Sequence, residues 1–428
     1  MRVELRYGRG MLPVELGDDY EVTIFRKHDM PILPDPVGAV RSALANPVGS
    51  RPLIEEARGK RSACILVCDI TRPVPNGLFL GEMVRQILDA GIPRENVTLL
   101  IATGLHRPNE GEELAEIIGD PWVMETVRIE NHFARDDAGH VELGTTSRGT
   151  PVKVDRRFVE ADLKIATGLV EPHLIAGWSG GRKVIAPGVA HSDTIRMFHS
   201  SRYVMHPCAT NCVLDGNPLH EDQLEIVKWV GGALALNTVI DEDRRLSFVN
   251  FGEIVESHLQ AVAHVTRYAI VSSAQRFKTV VTCNAGHPLD GNYYQTIKGV
   301  IGAVGILEPG GNLIIASECR EGLGSPEFVE AQRRLVELGV RGFTEMTARK
   351  PQADIDEWCP NMLTKPLSIG NVMLYSTGLS PEQRKLTSLI SIDSIEAAIR
   401  ESVAVTGDPR VAVIPEGPYV IPEYYKSE

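Results

Sequence analysis

No stretch of this 428-residue sequence stays apolar for the roughly 18–20 residues that a membrane-spanning helix needs. The opening MRVELRYGRGML lacks the apolar core of a secretory signal. Basic residues do not prevail: 44 Lys and Arg stand against 56 Asp and Glu, a net charge of −12. That balance argues against nucleic acid or an anionic membrane as the main partner. Cysteine is sparse and odd in number, seven residues scattered along the chain, which fits a reduced cytoplasmic protein rather than a disulfide framework. Cys64 and Cys68 fall on a strand-like run and read as core thiols. Cys208 and Cys212 could offer metal thiolates but have no second pair. Two nucleotide signatures are also missing. GxxxxGK[ST] fails because Lys183 is followed by Val184, and no GxGxxG turn precedes an acidic residue about twenty positions on. Any anionic ligand must be held by a local cluster of cations.

What is present is a strand–helix rhythm. ACILVCD (63–69), NVTLLIA (96–102), DLKIATG (162–168), KTVVTCN (278–284) and NLIIASE (312–318) are short, nearly continuous apolar runs of the kind buried in parallel sheets. Amphipathic stretches such as 78–91 and 113–119 lie between them, and a helix is expected near 251–267. A hairpin is expected around Gly8–Gly10. The expected fold is α/β: two α/β domains with largely parallel sheets. The first covers 1–270 and is rejoined by the tail 406–428; the second covers 271–405.

Polar residues gather where these strands end, which is where open α/β sheets bind ligands. DITRPVPN brings Asp69 and Arg72, ATGLHRP brings Thr103, His106 and Arg107, and TGLVEPHLIAGWSGGRK brings Glu171, His173, Ser179, Gly180, Gly181, Arg182 and Lys183. Each has an ordinary explanation: Asp69 capping a turn and pairing with Arg72, His106 packed or on the surface. Three strand ends with titratable groups make coincidence less attractive. GWSGGRK reads either as a phosphate nest, in which positive-φ glycines expose amides beside two cations, or as a plain turn before a helix. Gln295 and Lys298, three apart after Asp290, share a helix face suited to a carboxylate or hydroxyl ligand, or simply to solvent. His199 and His206 are seven apart, too loose for a zinc pair.

Together DITRPVP, ATGLHRP, GTTSRGTPV, EPHLIAGWSGGRKVIAPG, LDGNPLHED and YYQTIKG resemble the nickel-pincer lactate racemase family of 2-hydroxyacid racemases and epimerases, from about residue 5 to about residue 405. The resemblance implies an active site in the cleft between two α/β domains. It implies a nickel-pincer nucleotide, a pyridinium-3-thioamide-5-thiocarboxylic acid mononucleotide carrying Ni(II), made by cofactor-synthesis proteins of the cell. Lys183 matches the lysine that can tether that group, and His199 the protein ligand to nickel. His106 and His173 match the paired catalytic bases. Asp69, Thr71, Arg72, Ser179, Gly180, Gly181, Arg182 and Tyr294 are implied around the cofactor, and Arg72, Gln295, Lys298 and Trp358 around a small 2-hydroxyacid. Two stretches depart from the family pattern, His287 in GHPLDGNYYQ and REGLG at 320–324, and both bear on the substrate's side chain. The rivals are a nicotinamide-type dehydrogenase, which would need the missing GxGxxG, and a non-enzymatic nickel or nucleotide binder, which would not need two histidines at separate strand ends.

Overall fold

The computed structural model describes residues 1–425, so the last three residues of the tail, 426–428, lie outside the described residues. The chain divides into two compact units. The first comprises 29–198 and 208–267, and the second comprises 1–28, 199–207 and, of the described residues, 268–425.

The first unit is built on a six-stranded sheet ordered Leu246–Glu253, Leu234–Ile240, Leu163–Leu169, Ala63–Cys68, Val97–Ala102, Arg128–Asn131. All neighbours run parallel except Leu246–Glu253, which lies antiparallel at the edge. The helix Leu80–Asp89 lays Leu80, Met83, Val84 and Ile87 on this sheet, all fully buried against Ile65, Val67, Leu99 and Ile101. Apolar residues on both sides of each central strand explain the unbroken Val/Ile/Leu runs. Residues 246–253, expected to begin a helix at 251, are strand instead; the helix spans Ile254–Ala269. These residues pair antiparallel with Leu234–Ile240, and Glu253 accepts from the amides of Val255 and Glu256 at the helix start.

The second unit has its own six-stranded sheet, ordered Ile390–Ile392, Asn371–Tyr375, Leu307–Ala316, Phe277–Cys283, Arg410–Ile414, Glu21–Ile24, parallel throughout. The hairpin Arg2–Tyr7/Gly10–Glu15 turns at Gly8, as the sequence suggested, and packs Val3, Leu5, Val14 and Leu16 into this unit's core. Here the domain expectation needs correction. Residues 1–28 and the described part of 406–428 belong to the second unit, because Arg410–Ile414 pairs with Phe277–Cys283 on one side and with Glu21–Ile24 on the other. The segment His199–Pro207 also belongs to the second unit.

Ile65, fully buried at the centre of the first sheet, sets a test of that core. Ile65→Ala should destabilise the first unit by about 2–5 kcal/mol, whereas Val405→Ala, at a position 79% exposed, should change stability by less than about 0.5 kcal/mol. Denaturant or thermal unfolding followed by circular dichroism reads both.

Candidate active site

The strands Leu163–Leu169, Ala63–Cys68 and Val97–Ala102 are immediate parallel neighbours, with Ile65 opposite Ile165 and Cys68 opposite Ala102. The loops that follow them therefore leave from one edge of the sheet. Asp69, 5% exposed, receives the Thr71 hydroxyl at 2.6 Å on one oxygen, and its other oxygen lies 2.6 Å from His106 Nδ1. Burial would raise its pKa, but the His106 and Thr71 bonds and the Arg72 charge hold the carboxyl below the usual range. Ionised, it can only accept, so His106 Nδ1 donates to it, and in the neutral ring the lone pair is left on Nε2. The imidazole is about half exposed.

Arg72 does not pair with Asp69. Its Nη1 donates to Glu171 Oε1 at 2.7 Å, joining the loop after the first strand to the loop after the third. Burial works against the guanidinium's charge, but Glu171 and Asp69 outweigh it and keep the pKa raised. Two other candidates prove structural: Thr103 donates to the His132 carbonyl, and Arg107 forms a bidentate surface pair with Glu113. Asn109, which the sequence did not single out, accepts from the Ile70 amide and exchanges side-chain and backbone bonds with Asn131, fastening these loops together.

The EPHLIAGWSGGRK stretch is a small hairpin, Pro172–His173 against Gly177–Trp178. Gly177 has φ +75°, and a Cβ there would come within 2.2 Å of the Val213 carbonyl. Inside the turn, the amides of Ile175 and Ala176 donate to His173 Nδ1 at 3.3 and 3.1 Å. Ser179 accepts from the Glu171 amide and donates to the Leu169 carbonyl, closing the loop on the strand it came from. Gly180 and Gly181 also have positive φ, and a Cβ at Gly181 would meet the His258 ring at 2.7 Å.

Arg182, expected to add charge beside the glycine amides, is 1% exposed and points inward. It donates to the carbonyls of Ala176 and Trp178 and to His220 Nδ1 at 2.7 Å, and it lies against His258. His258 in turn donates to the Ser179 carbonyl. Burial lowers the guanidinium's pKa to about 9, and burial together with this cation pushes His220 down to about 3 and His258 well below its ordinary value. Both imidazoles are neutral. LDGNPLHED thus supplies support: His220 holds Arg182, and Asn217 donates to the Ile175 carbonyl at 2.8 Å. Lys183 follows, half-buried, and its charge reaches Cys68 at the end of the first strand together with those of Asp69, Arg72 and Glu171.

In the second unit, Asn292 caps the helix Tyr293–Ala303, which carries Tyr294, Gln295 and Lys298. The Gln295 amide oxygen is buried and has no hydrogen-bond partner among the described residues. Tyr294 meets Trp358 edge-on at 5.8 Å, and the His199 ring lies against Trp358 at 5.4 Å. The Lys298 charge is felt at Cys359, next to Trp358. Five of the expected residues therefore fall around one helix pair. The two stretches that depart from the family pattern meet each other: the Glu321 amide donates to the Gly291 carbonyl, and Tyr293 and Tyr294 donate to Gly322 and Leu323. Lys365, on the helix that begins at Trp358, escaped the sequence reading; burial lowers its pKa to about 8. Among the described residues, no three or more His, Cys, Asp or Glu are grouped to hold a metal.

Residues 7–211 match the family model described as the lactate racemase N-terminal domain, and residues 272–421 match the lactate racemase C-terminal domain. The chain is 31% identical to a lactate racemase of Thermoanaerobacterium thermosaccharolyticum over 98% of both chains. It is 30% identical to a lactate racemase of Lactiplantibacillus plantarum over 89% of this chain and 90% of that one. It superposes on the structure of the lactate racemase apoprotein from T. thermosaccharolyticum with a TM-score of 0.91, covering 99% of this chain and 100% of that chain at 30% identity. A Thermotoga maritima protein at 17% identity and TM-score 0.68 shares the fold, covering 91% of this chain and 98% of that chain.

The neutral histidines around Arg182 make the loop acid-sensitive in a defined window. His220 is neutral in the folded protein down to about pH 3, but it protonates near its ordinary value of about 6.5 when unfolded. Its contribution is complete above that value and is lost as pH falls from about 6.5 toward 3. His220→Gln, which keeps an acceptor for Arg182 but cannot titrate, should show a shallower fall of melting temperature across that window than the unaltered chain.

Proposed function

The chain belongs to the lactate racemase family, and from that premise we propose that it is an isomerase inverting Cα of a 2-hydroxyacid through reversible hydride transfer, with His106 and His173 serving the substrate oxygen. The observation that carries this reading is the assembly at one sheet edge: a carboxylate-oriented imidazole at His106, a second imidazole at His173, and the Arg72–Glu171 pair beside Lys183.

Racemisation must move the Cα hydrogen from one face of the carbon to the other. Beside an ionised carboxylate that hydrogen is a poor acid, so removal as hydride, leaving a ketoacid, is the easier route. The nickel-pincer nucleotide implied by the family, when bound, supplies a carbon that takes the hydride and returns it. The residues fit such a group. One imidazole, His199, stands against Trp358 and would offer the chain's nitrogen donor to the nickel that the group carries. Lys183 offers an amine for the tether, and the buried amide oxygen of Gln295, without a partner among the described residues, could accept from the bound group.

The chain's own part is proton handling and grip. His106 Nε2 takes the hydroxyl proton, and Asp69 steadies the imidazolium that results. His173 attends the oxygen of the opposite enantiomer. Arg72 has Nη1 engaged by Glu171, and the rest of its guanidinium fork is assigned to the substrate carboxylate. Gln295, Lys298 and Trp358 are assigned to the substrate by family likeness. Cofactor-synthesis proteins of the cell are the implied partners.

Loss of optical rotation from single enantiomers of a panel of 2-hydroxyacids tests the activity in protein purified from cells able to make the cofactor. His199→Ala should lose nickel by metal analysis, and Lys183→Ala should lose any covalent adduct in the intact mass. His106→Ala should slow racemisation by about 10²–10⁴-fold. Full nickel content in the His199 variant would remove the ligand assignment.

A further inference from the structure

The two histidines assigned to the substrate oxygen are held by opposite kinds of partner. Asp69 is an ionised acceptor, so the ring it orients at 2.6 Å bears its proton on Nδ1, leaving Nε2 as a base. At His173 the partners are donors. Two backbone amides, Ile175 and Ala176, point at Nδ1. A nitrogen receiving two N–H groups keeps its lone pair, so the neutral ring carries its proton on Nε2.

The donors cannot swing away cheaply. The Ile175 carbonyl is bound by Asn217, which is fully buried, and the Ala176 carbonyl by the buried Arg182 at 3.0 Å. Arg182 also holds Trp178, and His258 holds Ser179. Both peptides that present their amides to His173 therefore have neighbouring carbonyls fixed from the core. For His173 to become a proton acceptor at Nε2, its ring proton must move to Nδ1, where it would confront two N–H donors. That requires the turn to release its amides and give up both hydrogen bonds.

Resting on the racemase reading above, we propose that the Leu174–Ala176 turn locks His173 as the Nε2–H tautomer, so that the protein rests with one acceptor, His106, and one donor, His173. The enantiomer whose hydroxyl meets His106 is deprotonated directly, its proton passing from oxygen to Nε2. The enantiomer presented to His173 meets a hydrogen-bond donor and waits for the turn to open. Asn217 and Arg182 are then positioning residues, acting through the turn on the imidazole.

The tautomers are read without cofactor or activity, by two-bond ¹H–¹⁵N correlation of the full-length chain labelled at histidine, assigned with His173→Gln and His106→Gln. The expected result is an unprotonated-type Nδ1 and protonated Nε2 at His173, with the reverse at His106. Ala176→Pro deletes one of the two amides and should shift His173 toward a mixture of tautomers. A protonated Nδ1 or a tautomer average at His173 in the unaltered chain would overturn the proposal. In the cofactor-loaded protein, single-turnover ketoacid formation should be about tenfold or more faster from one enantiomer. Equal first-turnover rates would overturn its catalytic half. Absence of reaction with either enantiomer would instead refute the racemase reading, while the NMR result still decides the lock.

Discussion

The buried guanidinium of Arg182 is the interaction on which the first unit's loop depends. A fully desolvated cation is costly unless its donors are satisfied, and here they are met by two carbonyls and the neutral His220 imidazole, with the neutral His258 ring alongside, rather than by a carboxylate. That choice has a geometric result. Carbonyls of a single turn, gathered by one planar fork, cannot drift relative to one another. The Ile175 and Ala176 amides, which precede the held carbonyls in the same turn, stay aimed at His173. Replacing the histidines with a carboxylate would neutralise the charge, but it would place an anion behind a loop proposed to receive a nucleotide.

Next to this rigid element the Asp69–His106 pair is open to solvent on one side. The contrast follows from the loops' origins. Residues after the first two strands are tied to each other through Asn109 and Asn131, at a distance from the ring itself. Residues after the third strand fold back on their own strand through Ser179. One histidine is thus oriented by a charge, the other by the backbone.

Much of this could be read in the sequence, and the reasons are physical. Buried parallel strands announce themselves through unbroken Val/Ile/Leu runs, so the central strands of both sheets were visible, and with them the loops that follow. Asp69, His106, His173 and Lys183 were legible because they sit at those ends. Arg182 misled because a cation beside two glycines has the same composition whether it faces a ligand or the core; only His220 and His258, far along the chain, decide the matter. Asn109 gave no local signal at all. The placement of residues 1–28 and of the tail was missed because strand partners nearly 400 residues apart leave no mark on either segment.

The division of the chain has a consequence for how the protein is made. The backbone passes from one unit to the other four times, at 28/29, 198/199, 207/208 and 267/268. The strand Glu21–Ile24 leaves the ribosome long before its partner Arg410–Ile414 is synthesised. The first unit has every strand of its sheet by residue 253, while the second cannot complete its sheet until Arg410–Ile414 has been made. During that interval the amino-terminal hairpin, with Val3, Leu5, Val14 and Leu16, has apolar faces and no core to bury them in. Nascent chains in that state are where aggregation competes with folding. The order of synthesis therefore leaves the second unit, and the helix pair carrying Gln295, Lys298 and Trp358, as the half of the molecule whose sheet is completed later.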